Sequence, residues 1–149
     1  MPLTVKSITL WRKDIANQPG TLASTLAPLA KVGTDLQLVM GYRIPGNEQQ
    51  AAIEIYPVTG KAVSQAAQDA GLAASSIPTL LVEGDNRPGL AHAVAQAVGE
   101  AGINLVFLMA QVVGRRYSAV IGFETVDDAK KTATIIKRTT AKQKGARKR

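Results

Sequence analysis

The sequence has no cysteine and a single histidine, His92. Disulfides, thiolate metal sites and a cysteine nucleophile are therefore excluded, and a multi-histidine metal site with them. Aromatic residues fill 4% of the 149 positions, too few for the stacking surfaces on which single-stranded nucleic acid is usually held. The longest apolar run, Leu105 to Ala110 with Val112 and Val113 beyond Gln111, falls far short of the ~20 residues that span a bilayer. Met1 to Lys6 lacks the basic patch, apolar stretch and small-residue cleavage site of a secretory signal, so a cytoplasmic protein with no membrane partner is expected. Neither a Gly-x-x-x-x-Gly-Lys phosphate loop nor a base-activated nucleophile is visible. The expectation is a protein with no catalytic residues, no metal site and no cofactor; only a carboxylate-based site stays open on these grounds.

Acids are missing from one end. From Lys137 to Arg149 there are seven basic residues and no acidic one, so Met1 to Ile136 holds 18 − 7 = 11 basic residues against 11 acidic. The formal charge of +7 thus belongs to the last thirteen residues and the body is neutral. A domain that grips phosphate across a whole face is not expected. The segment 138–149 reads as a solvated, mobile tail through which nucleic acid could be bound.

What is present is a repeat. Asn17-Gln18-Pro19-Gly20 recurs as Asn86-Arg87-Pro88-Gly89, an offset of 86 − 17 = 69, nearly half the chain. At that offset Gly33 meets Gly102, Asp35 meets Asn104, Leu36 meets Leu105 and Met40 meets Met109. Each half starts with a strand pattern, Val5 to Arg12 and Thr79 to Glu83, then the Pro-Gly loop. Amphipathic patterns over Thr21 to Val32 and Leu90 to Ala101 predict helices, with a kink or early stop at Pro28. Strands follow at Asp35 to Ile44 and Ile103 to Val113, returning through hairpins as Ala51 to Tyr56 and Tyr117 to Glu124. Second helices are expected over Lys61 to Ala70 and from Val126 to about Lys137. The first half closes with a short strand at Ala73 to Ile77, and the second half shows no sequence for one.

This order is a split βαβ arrangement: α+β, two tandem ferredoxin-like βαββαβ units, each an antiparallel sheet with its helices on one face. The expected boundaries are 1–77 and 78–137, followed by the tail.

The residues Asp85-Asn86-Arg87-Pro88-Gly89-Leu90, followed by Gly102-Ile103-Asn104, resemble ACT domains, small ligand-sensing modules of amino-acid metabolism. Asn17, Pro19, Gly20 and Asp35 make a weaker first copy. The resemblance implies a non-catalytic regulatory protein that binds an amino-acid effector at an interface between ACT units, as a homodimer, with an enzyme regulated in trans. Asn86 and Asn104 match two asparagines that hold serine in serine-sensing members, whereas the family's histidine is Gly84 here. The chemistry is reasonable: a strand ending in a glycine-bearing loop presents helix N-terminal amides to a carboxylate. Asn17 and Asn86 equally suit plain capping roles, Asp35 and Asn104 local hydrogen bonding, and Arg87 a solvated loop charge. The alternative function is a transcriptional regulator that joins ligand sensing to nucleic-acid binding through the tail.

Overall fold

A computed structural model describes residues 3–147, with side chains described as far as residue 139. The element order begins β1 (Thr4–Ile8), β2 (Trp11–Ala16), α1 (Thr21–Lys31), β3 (Leu38–Ile44), β4 (Asn47–Tyr56), α2 (Lys61–Asp69) and β5 (Ala73–Ala74). It continues β6 (Thr79–Asp85), α3 (Leu90–Glu100), β7 (Leu105–Val113), β8 (Arg116–Phe123) and α4 (Val126–Arg147). These elements make two compact α+β units.

The unit spanning Thr9–Ser76 has an antiparallel sheet in the order β3-β4-β2-β5. Period-two alternation sends Ile53 and Ile55 of β4 to one face, where they meet Leu29 of α1 and Ala66, Ala67 and Ala70 at α2. Helix α1 runs through Pro28 to Lys31 and does not stop early. Its core contact, Leu29, lies next to the proline and is buried. The turn after it closes with Gly33 N–H donating to Ala30 O at 3.0 Å and Thr34 N–H to Leu29 O at 3.1 Å.

The other unit combines residues 3–8 with 77–147, and its sheet has the order β1-β6-β8-β7. Leu80, Val82, Ala119, Ile121 and Phe123 meet Leu90, Val94 and Val98 of α3 and Ala129 and Ile136 of α4. We call it the 77–147 unit.

Three sequence expectations need correction. The strand expected from Val5 to Arg12 is two strands, split at Thr9-Leu10, and they enter different sheets. Consequently residues 3–8 do not belong with the first half, as a 1–77 boundary would have it. β1 pairs antiparallel with β6 from Thr4↔Glu83 to Ile8↔Thr79. It occupies the edge that β5 occupies beside β2, and so supplies the last strand that the second half's own sequence lacks. The driving force is apolar: Leu3 joins the Leu80 and Val82 core and Val5 packs against it. Leu10, fully buried, belongs to the 9–76 unit, where its carbonyl accepts from Ser75 N–H at 2.8 Å. The third correction concerns the tail. Helix α4 does not end near Lys137 but continues to Arg147, because Lys, Arg, Ala and Gln favour helix and no proline interrupts them. Lys148 and Arg149 lie outside the described residues. Among the described residues no helix is long and apolar enough to cross a membrane.

Candidate ligand-binding site

In the 9–76 unit, β2 ends at Ala16 and the chain turns through Asn17-Gln18-Pro19-Gly20 into α1. Gly20 stands at the N-cap with φ 85° and ψ −9°, a left-handed conformation that residues with a Cβ rarely take. No side chain caps the helix. The Thr21 hydroxyl donates to Gln18 O at 3.0 Å, and the first-turn amides carry the positive end of the helix dipole.

Asn17 has a different task. Its backbone N–H donates to Gln49 O at 2.9 Å and its Nδ2 to Glu48 O, also at 2.9 Å. Those two acceptors lie in an irregularity of β4. The β3–β4 pairing jumps from Arg43↔Ala51 to Ile44↔Asn47, which leaves Glu48, Gln49 and Gln50 without partners on β3. Asn17 therefore ties the loop before α1 to a bulge in the neighbouring strand.

Between the loop, β3 and β4 lies a cavity of about 340 Å³. Asn17, Gln18, Gly20 and Leu22 form its wall on the α1 side, with Ile15 and Ala16 of β2 beside them. Gly41, Tyr42 and Arg43 of β3 and Ala51, Ala52 and Ile53 of β4 complete it. The space has two local causes. A Cβ at Gly41 would meet no atom within 4 Å, and Ala51 presents only a methyl group. Arg43 is exposed and takes part in none of the ion pairs among the described residues.

On the other face of the sheet from Ile53 and Ala51, Tyr42 belongs to a polar chain. Its hydroxyl donates to Glu54 Oε2 at 2.9 Å and accepts from Arg12 Nη1 at 3.2 Å, while Arg12 Nε donates to Asp14 Oδ1 at 3.0 Å. Burial, first, and then the hydrogen bond to Glu54 and its charge push the Tyr42 phenol above its ordinary pKa, against the opposing pull of Arg12. Burial lowers the pKa of Arg12, but the hydrogen bond to Asp14 and the nearby negative charges outweigh it and leave the group above its usual value. Glu54 is 1% exposed, and its Oε1 has no partner.

The same loop in the 77–147 unit has another character. Asp85, at the end of β6, accepts from Arg116 Nη1 at 3.0 Å in an exposed ion pair. The exposed Asn86 donates its backbone N–H to Arg115 O at 2.8 Å, the counterpart of the Asn17 bond to Gln49. Gly89 caps α3 in the left-handed region at φ 82°. Arg87 is half-buried, with Nη2 shielded from solvent and unpartnered, so it is not the fully solvated charge the sequence suggested. Leu90 is buried in the core, whereas its counterpart Thr21 is half-exposed. On β8, Tyr117 lies opposite Gly84, is 3% exposed and belongs to the same core as Leu90. Its hydroxyl has no partner, and burial pushes its pKa up.

Of the residues singled out by sequence, the cavity brings together Asn17 and Gly20. Pro19 is exposed in the same loop but does not line the cavity. Asp35 and Asn104 are exposed ahead of β3 and β7, and Asp35 is likewise absent from the cavity wall. Asp85, Asn86, Arg87, Pro88, Gly89 and Leu90 stay together at the start of α3 in the other unit. The sequence reading passed over Gly41, Arg43 and Ala51. A glycine inside an apolar strand, followed two residues later by the strand's one charge, was the available signal.

The sequence model of the ACT domain matches residues 78–140. None of the curated proteins matches this sequence. Among solved structures, a protein from Bacteroides thetaiotaomicron aligns over 87% of this chain and 88% of its own, with a TM-score of 0.71 and 15% identity. The regulatory subunit of aspartate kinase from Thermus thermophilus, in a ligand-free form, aligns over 93% of this chain and 97% of its own, with a TM-score of 0.61 and 18% identity. The corresponding subunit from Thermus flavus covers the same shares at a TM-score of 0.57 and 20% identity. At these identities the likeness concerns the fold. Residues 78–140 thus match the ACT-domain model, and both units of the chain have the ACT-type α+β fold.

Proposed function

We propose that this chain is a non-catalytic sensor that binds an amino acid in the cavity of the 9–76 unit and passes the event to a partner. The observation that carries this reading is one cavity in which an uncapped helix N-terminus and an arginine that joins no ion pair among the described residues stand beside apolar walls. The α1 amides and Arg43 suit a carboxylate. Asn17, whose Nδ2 is committed to Glu48, keeps Oδ1 as an acceptor for the ammonium group. Leu22, Ala51 and Ile53 offer an apolar surface to the side chain. The volume falls at the lower end of small-molecule pockets, ~300–1,000 Å³. The regulatory subunits of aspartate kinase with this fold support a regulatory role. β7, an edge strand with Val106, Leu108, Val112 and Val113 exposed, is the surface on which a second copy would pair.

A thermal-shift screen of the twenty amino acids tests the reading. The effector, at a hundredfold excess over its Kd, should stabilise the protein by ~2.7 kcal/mol, a rise in Tm of roughly 5–10 °C. Arg43→Met should then weaken binding by about ten- to a hundredfold, the worth of one charge-assisted contact. A screen in which no amino acid moves Tm contradicts the proposal.

A further inference from the structure

The two units can be superposed residue by residue through their strand ladders. In the 9–76 unit, Ile15 of β2 lies opposite Ala51 of β4, and Ala51 lies opposite Arg43 of β3. In the 77–147 unit the same row reads Gly84 of β6, Tyr117 of β8 and Val112 of β7. The row that borders the cavity is therefore Ile, Ala and Arg in one unit and Gly, Tyr and Val in the other. The small residue and the large one have changed places, and the cation has become an aliphatic side chain.

We infer that the position in the 77–147 unit equivalent to the cavity is closed by the chain's own Tyr117, so that each chain binds one effector, in the 9–76 unit. Tyr117 is 3% exposed, lies within the apolar core and directs its ring to the face that Ala51 leaves empty in the other unit. Its hydroxyl finds no hydrogen-bond partner. A buried phenol kept for a hydrogen bond would have one; this side chain acts by its volume. The residue across the ladder from the ring, Gly84, carries no side chain, whereas Ile15 stands across from Ala51. The loop motif in the 77–147 unit thus stands beside a position that Tyr117 fills. The count of one effector rests on the proposed sensor function, but the closure by Tyr117 does not, and the two are tested apart.

The closure is tested by Tyr117→Ala with p-cresol, the severed side chain itself. An apolar cavity left by truncation binds a small aromatic molecule of matching shape. At about ten times its Kd, p-cresol should raise the Tm of the variant by about 3–6 °C and leave the wild-type protein unmoved. A shift in neither protein, or an equal shift in both, overturns the closure. Should the variant fail to fold, the reciprocal change Ala51→Tyr carries the test. It places the same ring in the open cavity, and should fold and lose the amino-acid response; a retained response overturns the equivalence of the two positions. Isothermal titration of the wild-type protein with the amino acid found in the screen reads the count, expected at one per chain. Two per chain overturns the single site while leaving the sensor function standing. A screen without hits defeats the sensor function and leaves the p-cresol result to decide the closure.

Discussion

The 9–76 and 77–147 units share the order β-α-β-β-α, a four-stranded sheet arrangement and a glycine-capped loop into the first helix, and they use the space beside that loop in opposite ways. Where one unit has a cavity bordered by Gly41, Arg43 and Ala51, the other has Tyr117 and Leu90 in its core. The better match to the ACT loop sequence is in the unit whose corresponding position is filled. Loop motif and pocket are thus separable. The motif sets how the chain turns from strand to helix, and the residues across the sheet set whether anything fits behind the turn.

The largest expected break in this comparison is Tyr117→Ala, which removes a buried ring and should cost about 3–5 kcal/mol in denaturant unfolding. Tyr117→Phe keeps the ring and deletes only an unpartnered hydroxyl, so its stability should equal or exceed that of the wild type. A loss as large as that of the alanine variant would assign the hydroxyl a partner and end the argument from volume.

A smaller effect is expected at Tyr42. Tyr42→Phe strips the buried Glu54 carboxylate of its donor and should cost about 1–3 kcal/mol. The pH dependence follows with a definite sign. Burial raises the phenol pKa at Tyr42 and Tyr117 alike, and at Tyr42 the Glu54 hydrogen bond and charge add to it. A raised phenol pKa means that the fold favours the neutral form. The contribution is whole below the unfolded tyrosine value of about 10 and is lost as pH rises through the higher folded values. Unfolding titrations should show stability falling above pH ~10, with a shallower fall in the Tyr42→Phe, Tyr117→Phe double variant. An unchanged slope would remove the burial argument for both.

Much of the fold was legible because the repeat is legible. The 69-residue offset placed both loops, both first helices and the strands after them. The N-terminal strand was misread because no glycine or proline stands between Ile8 and Trp11 to mark the break. Alternation within Val5 to Arg12 looks continuous, and only pairing across the sheets shows that it serves two of them. The cavity was hidden for a related reason. Ile15 and Gly84 are 84 − 15 = 69 residues apart, but their partners Ala51 and Tyr117 are 117 − 51 = 66 apart. The difference is the three residues Glu48–Gln50 that β3 leaves unpaired in the first hairpin. At a fixed offset Ala51 is compared with Val120, and the exchange of a methyl group for a phenol is invisible. The Arg43 and Val112 exchange did lie at the offset of 69. It stood in strands whose apolar residues identified them as strands, and the charge drew no notice. Asn17 could be read from sequence as a cap or as a ligand group; its bonds to Glu48 and Gln49 give it a third role, tying the loop to the bulge.

The most direct test of the asymmetry is a two-dimensional amide NMR titration of the full chain with the amino acid identified by thermal shift. The largest shifts should fall on Asn17 to Leu22 and Gly41 to Arg43, with Gly84 to Leu90 and Arg116 to Ser118 unmoved. Shifts concentrated at Asn86 to Leu90 and Tyr117, with the first loop silent, would contradict the account.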